Sequence, residues 1–192
     1  MKKNVLLIHG TKGVITFKDR LIQDSDQNKL RFIAPAFPTI EKNGGTYSDW
    51  RRILDKLAQE GTLDKESTVI AHSLGTIALI KFITENNLKL DKYISVSGFL
   101  SKLHPGFKNT VKENVMKLFG FSLKEKNLQD ASGLITKRHS FISDNDHLIP
   151  EHELLRYAKL LSAQVHYPKG YGHFSRTNNV THIPGLAELV ND

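Results

Sequence analysis

The sequence predicts an α/β protein: one domain over residues 1–192, built on an open parallel sheet with helices on both faces. Three observations carry that expectation. Short apolar runs recur along the chain, longer amphipathic stretches separate them, and no internal repeat or Pro/Gly/Ser-rich linker divides the 192 residues. A chain of this length buries about 70% of its extended surface on folding, which is enough for one sizeable core.

In order, the strand candidates are Asn4 to Ile8, Leu30 to Ala34, Ser67 to Ala71, Tyr93 to Ser97, Ser140 to Ser143 and Gln164 to Tyr167. Their uninterrupted apolar character suits strands buried on both faces, as in a parallel sheet. Helices are expected over Tyr47 to Gln59, Leu74 to Asn86, Glu151 to Ser162 and around Pro184 to Val190. In the first of these, Tyr47, Trp50, Ile53, Leu54 and Leu57 fall on one face, which makes Trp50 a core residue. The stretch Phe99 to Leu128 is longer than a single crossover helix needs and interleaves apolar residues with lysines. It is expected to form a cap packed over a pocket or the core.

Composition excludes several functions. Lys and Arg number 27 against 20 Asp and Glu, a net charge of +7, but the basic residues are scattered among acids without a run of five or six, so no nucleic-acid partner is expected. A span of about 20 apolar residues is missing, so no membrane span is expected. The apolar run after Met1-Lys2-Lys3 ends at His9-Gly10 and reads as a buried strand rather than a secretion signal. With no cysteine in the chain, disulfides, thiolate metal sites and cysteine nucleophiles are excluded, and the expected compartment is the cytoplasm. Asp144, Asp146, His147 and His152 lie close in sequence but match no common ligand spacing, so no metal is expected.

The segment Ser67 to Thr76 reads as a strand running into a tight turn and then an apolar helix, with Ser73 at the apex. A serine that must stand clear of the sheet needs small residues two positions before and after it, and Ala71 and Gly75 meet that need. The turn places Ser73 at a helix N-terminus, where the N–H of Leu74 is a candidate oxyanion donor. Upstream, His9-Gly10-Thr11 ends a neighbouring strand and offers the N–H of Thr11 as a second donor. An acid and then a histidine should follow in chain order. The acid is expected in the loop after the Ser140 to Ser143 strand, where Asp144 and Asp146 both qualify and Asp146 is preferred. His173, in the Gly-rich loop after the last strand, is the expected base. Candidate pocket residues are His9, Gly10 and His72 beside the serine, and Phe99, Leu100 and Phe107 from the cap.

Taken together, Leu7-Ile-His-Gly10, Ala71-His-Ser-Leu-Gly75, Ser143-Asp-Asn-Asp-His-Leu-Ile-Pro150 and Gly172-His-Phe174 resemble the small serine hydrolases of the retinoblastoma-binding protein 9 and YdeN group. The likeness runs from Asn4 to about Val190 and includes Pro35-x-x-Pro38 ahead of the Trp50 helix. It implies a compact α/β-hydrolase fold of about six parallel strands, without the first antiparallel strands of larger relatives. It further implies Ser73, Asp146 and His173 as a catalytic triad that hydrolyses small carboxylic esters. Two departures stand out: Ala71 replaces the first Gly of the general motif, and His147 follows the acid where Pro is frequent. The expected protein is a monomer that needs no cofactor and takes a small-molecule ester. The alternative is a non-catalytic module that binds a protein partner through its cap.

Overall fold

The computed structural model describes residues 2–40, 45–100 and 102–192, with the side chain of Phe107 outside the description. Its strands are β1 (Lys3–Ile8), β2 (Leu30–Ile33), β3 (Thr68–His72), β4 (Leu90–Val96), β5 (Ile135–Phe141) and β6 (Gln164–His166). They form one six-stranded sheet in the order β2-β1-β3-β4-β5-β6, with every neighbouring pair parallel. The helices are α1 (Lys18–Gln23), α2 (Tyr47–Gln59), α3 (Leu74–Glu85), α4 (Phe107–Leu118), α5 (Glu125–Ser132), α6 (Glu151–Leu160) and α7 (Leu186–Asn191).

The period-two alternation of the central strands separates two apolar layers. Leu6, Ile8, Val69, Ala71 and Tyr93 face α2, α3, α5 and α6, while Val5, Leu7, Ile70, Ile94 and Val96 face α1 and α7. Helix α2 begins at a reciprocal cap: Thr46 Oγ1 accepts from the Asp49 N–H at 3.2 Å and the Asp49 carboxylate accepts from the Thr46 N–H at 2.9 Å. The helix then buries Tyr47, Trp50 and Leu54, one stripe of its surface. Trp50 is fully buried, stacks on Phe37 with ring centroids 4.5 Å apart, and donates its indole N–H to the Pro38 carbonyl at 2.7 Å. The Pro35 to Pro38 segment is thereby tied to the core.

Two expectations change. Strand β5 starts at Ile135, five residues before the predicted start at Ser140, because Thr136 to His139 are polar residues on a partly exposed strand and carry no apolar signal. The proposed cap over Phe99 to Leu128 divides in two. Leu128 and Ala131 of α5 are fully buried in the core against α3 and α6, so α5 is the crossover helix between β4 and β5. Only the part through α4 lies over the carboxyl edge of the sheet. The short helix α1 is an element that no apolar periodicity in Lys18–Gln23 announces; its only buried residue is Leu21.

Replacing Trp50 by Ala empties the best-filled position beneath the sheet and should cost about 3–5 kcal/mol. Leu118, 82% exposed at the end of α4, should tolerate Ala within about 0.5 kcal/mol. Urea midpoints of the two variants check the contrast, and equal midpoints would contradict this packing.

Candidate active site

The strand order reverses at β1: the chain moves from β1 to β2 on one side and then to β3 on the other. Crevices form at the carboxyl ends of strands at such a reversal, and the predicted residues gather there. Ser73 sits between β3 and α3 with φ 54° and ψ −121°, in the left-handed region that side chains avoid. Its N–H donates to the Val96 carbonyl at 2.9 Å, and its carbonyl accepts from the Thr76 N–H at 2.9 Å and from Thr76 Oγ1 at 2.6 Å. The turn also presses on β1. A Cβ on Gly75 would stand 2.7 Å from the His9 carbonyl oxygen and 2.8 Å from that of Ile8, and one on Gly10 would stand 3.0 Å from the Ser73 Cβ. Among the described residues, no acceptor takes the N–H of Leu74 or of Thr11, and both residues line the crevice beside Ser73.

A hydrogen-bonded array joins three loops. Ser73 Oγ lies 2.9 Å from His173 Nε2, and His173 Nδ1 lies 2.8 Å from Asp146 Oδ2. The carboxylate fixes the tautomer: Nδ1–H donates to Asp146, so Nε2 is free to accept the serine hydroxyl. Asp146 also accepts from Ser97 Oγ at 2.9 Å and from the N–H groups of Leu148 and Ile149 at 2.9 and 3.0 Å. Burial works against its charge, but the hydrogen bond and charge of His173, with those two amides, hold it below the usual carboxylate value. Such an array can deprotonate a serine hydroxyl as it attacks a carbonyl carbon.

The loop carrying the acid holds the loop carrying the histidine residue by residue. The N–H groups of Gly170, Tyr171 and Gly172 donate to Asp144 Oδ1, Ser143 Oγ and Asn145 Oδ1 at 2.8, 2.9 and 2.6 Å. The His173 N–H donates to Asn178 Oδ1 at 3.1 Å. Asp144 is therefore engaged with Gly170 while its neighbour Asp146 meets the imidazole. Ser97, Asn145 and Asn178 were not singled out from the sequence; their only advance signal is a position just past a strand at the carboxyl edge or beside the histidine loop.

Above Ser73 opens a cavity of about 980 Å³. Gly10, His72 and Phe99 line it as expected. His9 and Leu100 do not, which corrects their assignment as pocket residues. His9 is buried against Phe37 and Trp50; its Nε2 accepts the Phe37 N–H at 3.0 Å and its Nδ1–H donates to the Gly10 carbonyl at 2.7 Å. It braces the turn from below. Leu100 is 4% exposed and packs in the core instead. The Phe107 side chain lies outside the described residues. Walls come instead from Leu103, Val115, Met116 and Phe119, which the cap contributes, and from Ile149. Among the described residues no group of three or more His, Asp or Glu side chains is assembled to hold a metal ion, and no helix is long and apolar enough to cross a membrane.

His72 donates Nε2–H to the His173 carbonyl at 2.9 Å, and burial, with the charge of His173, pushes its imidazole down to about 3. Below its ordinary value of 6.5 the unfolded chain takes up a proton that the folded chain refuses. Stability should therefore fall as pH drops from about 6.5 toward 3, at up to about 1.4 kcal/mol per pH unit. Asp146, depressed as carboxylates are when paired, adds its loss only below the ordinary carboxylate value of 3.8. Urea unfolding of wild type and His72→Asn between pH 7 and 5 isolates the histidine: the variant should show the shallower slope, and equal slopes would refute this account.

Residues 34–191 match the family model described as serine hydrolase. The chain is 27% identical over 200 residues to YdeN of Bacillus subtilis (strain 168), covering 99% of this chain and 95% of that one. It superposes on the crystal structure of the B. subtilis ydeN gene product with a TM-score of 0.78 at 21% identity, covering 98% and 97% of the two chains. It shares the fold of the meta-cleavage product hydrolase from Pseudomonas fluorescens IP01 with a TM-score of 0.65 at 15% identity, covering 98% and 90%. A parallel six-stranded α/β-hydrolase sheet and a family match over most of its length establish that this chain belongs to the serine hydrolase family.

Proposed function

We propose that the protein hydrolyses carboxylic esters through a Ser73–His173–Asp146 triad and an acyl-enzyme. The observation that carries this reading is the continuous pair of hydrogen bonds, 2.9 and 2.8 Å, from Ser73 Oγ through the imidazole to Asp146. Ser73 Oγ attacks the ester carbonyl while its proton passes to His173 Nε2. The N–H groups of Leu74 and Thr11 receive the oxyanion. The tetrahedral intermediate expels the alkoxide, which leaves as the alcohol with the proton from His173. Water then attacks the acyl-enzyme, giving its proton to His173, and the carboxylic acid departs as Ser73 regains its hydrogen. Asp146 stays ionised throughout and stabilises the imidazolium. No step calls for a cofactor.

The test is fluorophosphonate labelling of the folded protein with peptide mapping of the adduct. An adduct on Ser73 that is lost in His173→Ala supports the reading, and absence of labelling on folded protein would overturn it in favour of a binding module. With a short-chain ester, Ser73→Ala should lower kcat at least about 10³-fold, and Asp146→Asn by about 10⁴-fold through the wrong imidazole tautomer. Asp144→Asn keeps an Oδ1 that can accept the Gly170 N–H and does not touch the imidazole, so it should cost no more than about tenfold. Equal losses in the two Asp variants would contradict the assignment of Asp146.

A further inference from the structure

The lining of the cavity above Ser73 combines apolar and cationic side chains. The cap contributes the apolar Leu103, Val115, Met116 and Phe119. Lys12 from the loop after β1, Lys112 one turn before Val115 and Met116 on α4, and Arg176 from the turn three residues past His173 line it as well. All three cations are exposed, and none forms a salt bridge among the described residues. No Asp or Glu is among the described residues lining the cavity. Charges that elsewhere on this surface meet carboxylates, as Lys137 meets Asp192 and Lys126 meets Asp130, here face only the cavity and solvent.

Resting on the triad reading, we propose that the substrate is an ester with an apolar acyl chain and an anionic group, phosphate or carboxylate, on its leaving side. The two ends follow from the chemistry of the site. His173 must hand its proton to the departing oxygen, so the leaving group lies on the His173 side, where Arg176 stands. The His147 ring is 6.3 Å from that of His173. Burial and then the charge of His173 hold the His147 imidazole below its ordinary value; Asp146 opposes them, and Lys112 and Lys12 push it further down. Both lysines therefore act electrostatically in the same neighbourhood. The acyl chain is left with the apolar cap wall, where its burial is favourable in proportion to its area. An anion beside several convergent cations in a partly enclosed cleft is attracted before contact and held after it.

The test compares 1-octanoylglycerol with 1-octanoylglycerol 3-phosphate, which differ only in the anion. The ratio of their kcat/KM values should favour the phosphate ester by about tenfold at about 0.01 M salt and approach one at about 1 M, as screening shortens. Lys112→Gln and Arg176→Gln should each lower the ratio about threefold, and Lys112→Glu should lower it further. A carboxylate-bearing probe, the octanoyl ester of glycolic acid against octanoyl ethyl ester, separates a phosphate requirement from a general preference for anions. If Ser73 labels with fluorophosphonate but the phosphate ester shows no advantage at low salt, or the advantage survives the charge variants, this inference falls and the triad reading stands. If Ser73 does not label, both fall.

Discussion

The close approach of the Ser73 turn to the end of β1 is the constraint on which the rest of the site depends. Ser73 occupies backbone space that costs on the order of 1–3 kcal/mol for a residue with a side chain, and it stays there because its surroundings leave no alternative. Its N–H is spent on Val96 and its carbonyl on Thr76, so any relaxation of φ would break bonds to two elements. From the β1 side, the Ile8 and His9 carbonyls meet the Cα of Gly75 at a distance that no side chain could share. Those carbonyls are rigid because β1 pairs on both sides and because His9 is clamped by Phe37 and Trp50. Burial of Trp50, at the centre of the α2 face, is thus connected through one imidazole to the position of the serine.

The serine is positioned by the sheet, and its partner by a loop that has no strand or helix to hold it. The device that replaces secondary structure is the alignment of Ser143, Asp144 and Asn145 with the amides of Gly170, Tyr171 and Gly172, which puts side-chain acceptors where a sheet would put carbonyls. Gly172 has φ 54° and a Cβ there would overlap the Asn178 side chain, the same side chain that accepts the His173 N–H. Phe174, also at positive φ, is 1% exposed against the core. His173 is fixed on both flanks by contacts other than its bond to Asp146. The bond to Asp146 adds the orientation and tautomer of the ring.

Much of this was legible in the sequence, for identifiable reasons. Central strands buried on both faces announce themselves as unbroken apolar runs, so β1 and β3 match to within a residue at either end, whereas β4, interrupted by Asp91 and Lys92, begins three residues before its expected start and β5 near the edge hides its polar first half. Ser73 was legible because the turn's geometry restricts residue types at Ala71 and Gly75. The choice between Asp144 and Asp146 was not a matter of residue type, since both carboxylates serve the histidine loop and differ only in which atom they meet. His9 and Leu100 were misread because adjacency to the site in sequence does not say which side of the strand end a residue faces. A cap packed over a pocket or the core was legible, but which of its side chains face the cavity was not, because the pattern of α4 suits a core face and a pocket alike, and Lys12 and Arg176 lie outside α4 where no helical periodicity places them.

Three buried histidines at one edge of the sheet show how a single residue type takes different roles by hydrogen bonding alone. His9 and His72 each spend a ring N–H on a backbone carbonyl, and among the described residues neither hydrogen-bonds a carboxylate. Burial then lowers both, and they remain neutral props. His173 spends its Nδ1–H on Asp146, a carboxylate buried at this edge, so an imidazolium formed there has a counter-charge 2.8 Å away. The same burial that keeps the other two uncharged makes that attraction strong, because little water competes for it. Among the described residues, the ring that meets a buried carboxylate is also the ring that accepts the serine hydroxyl.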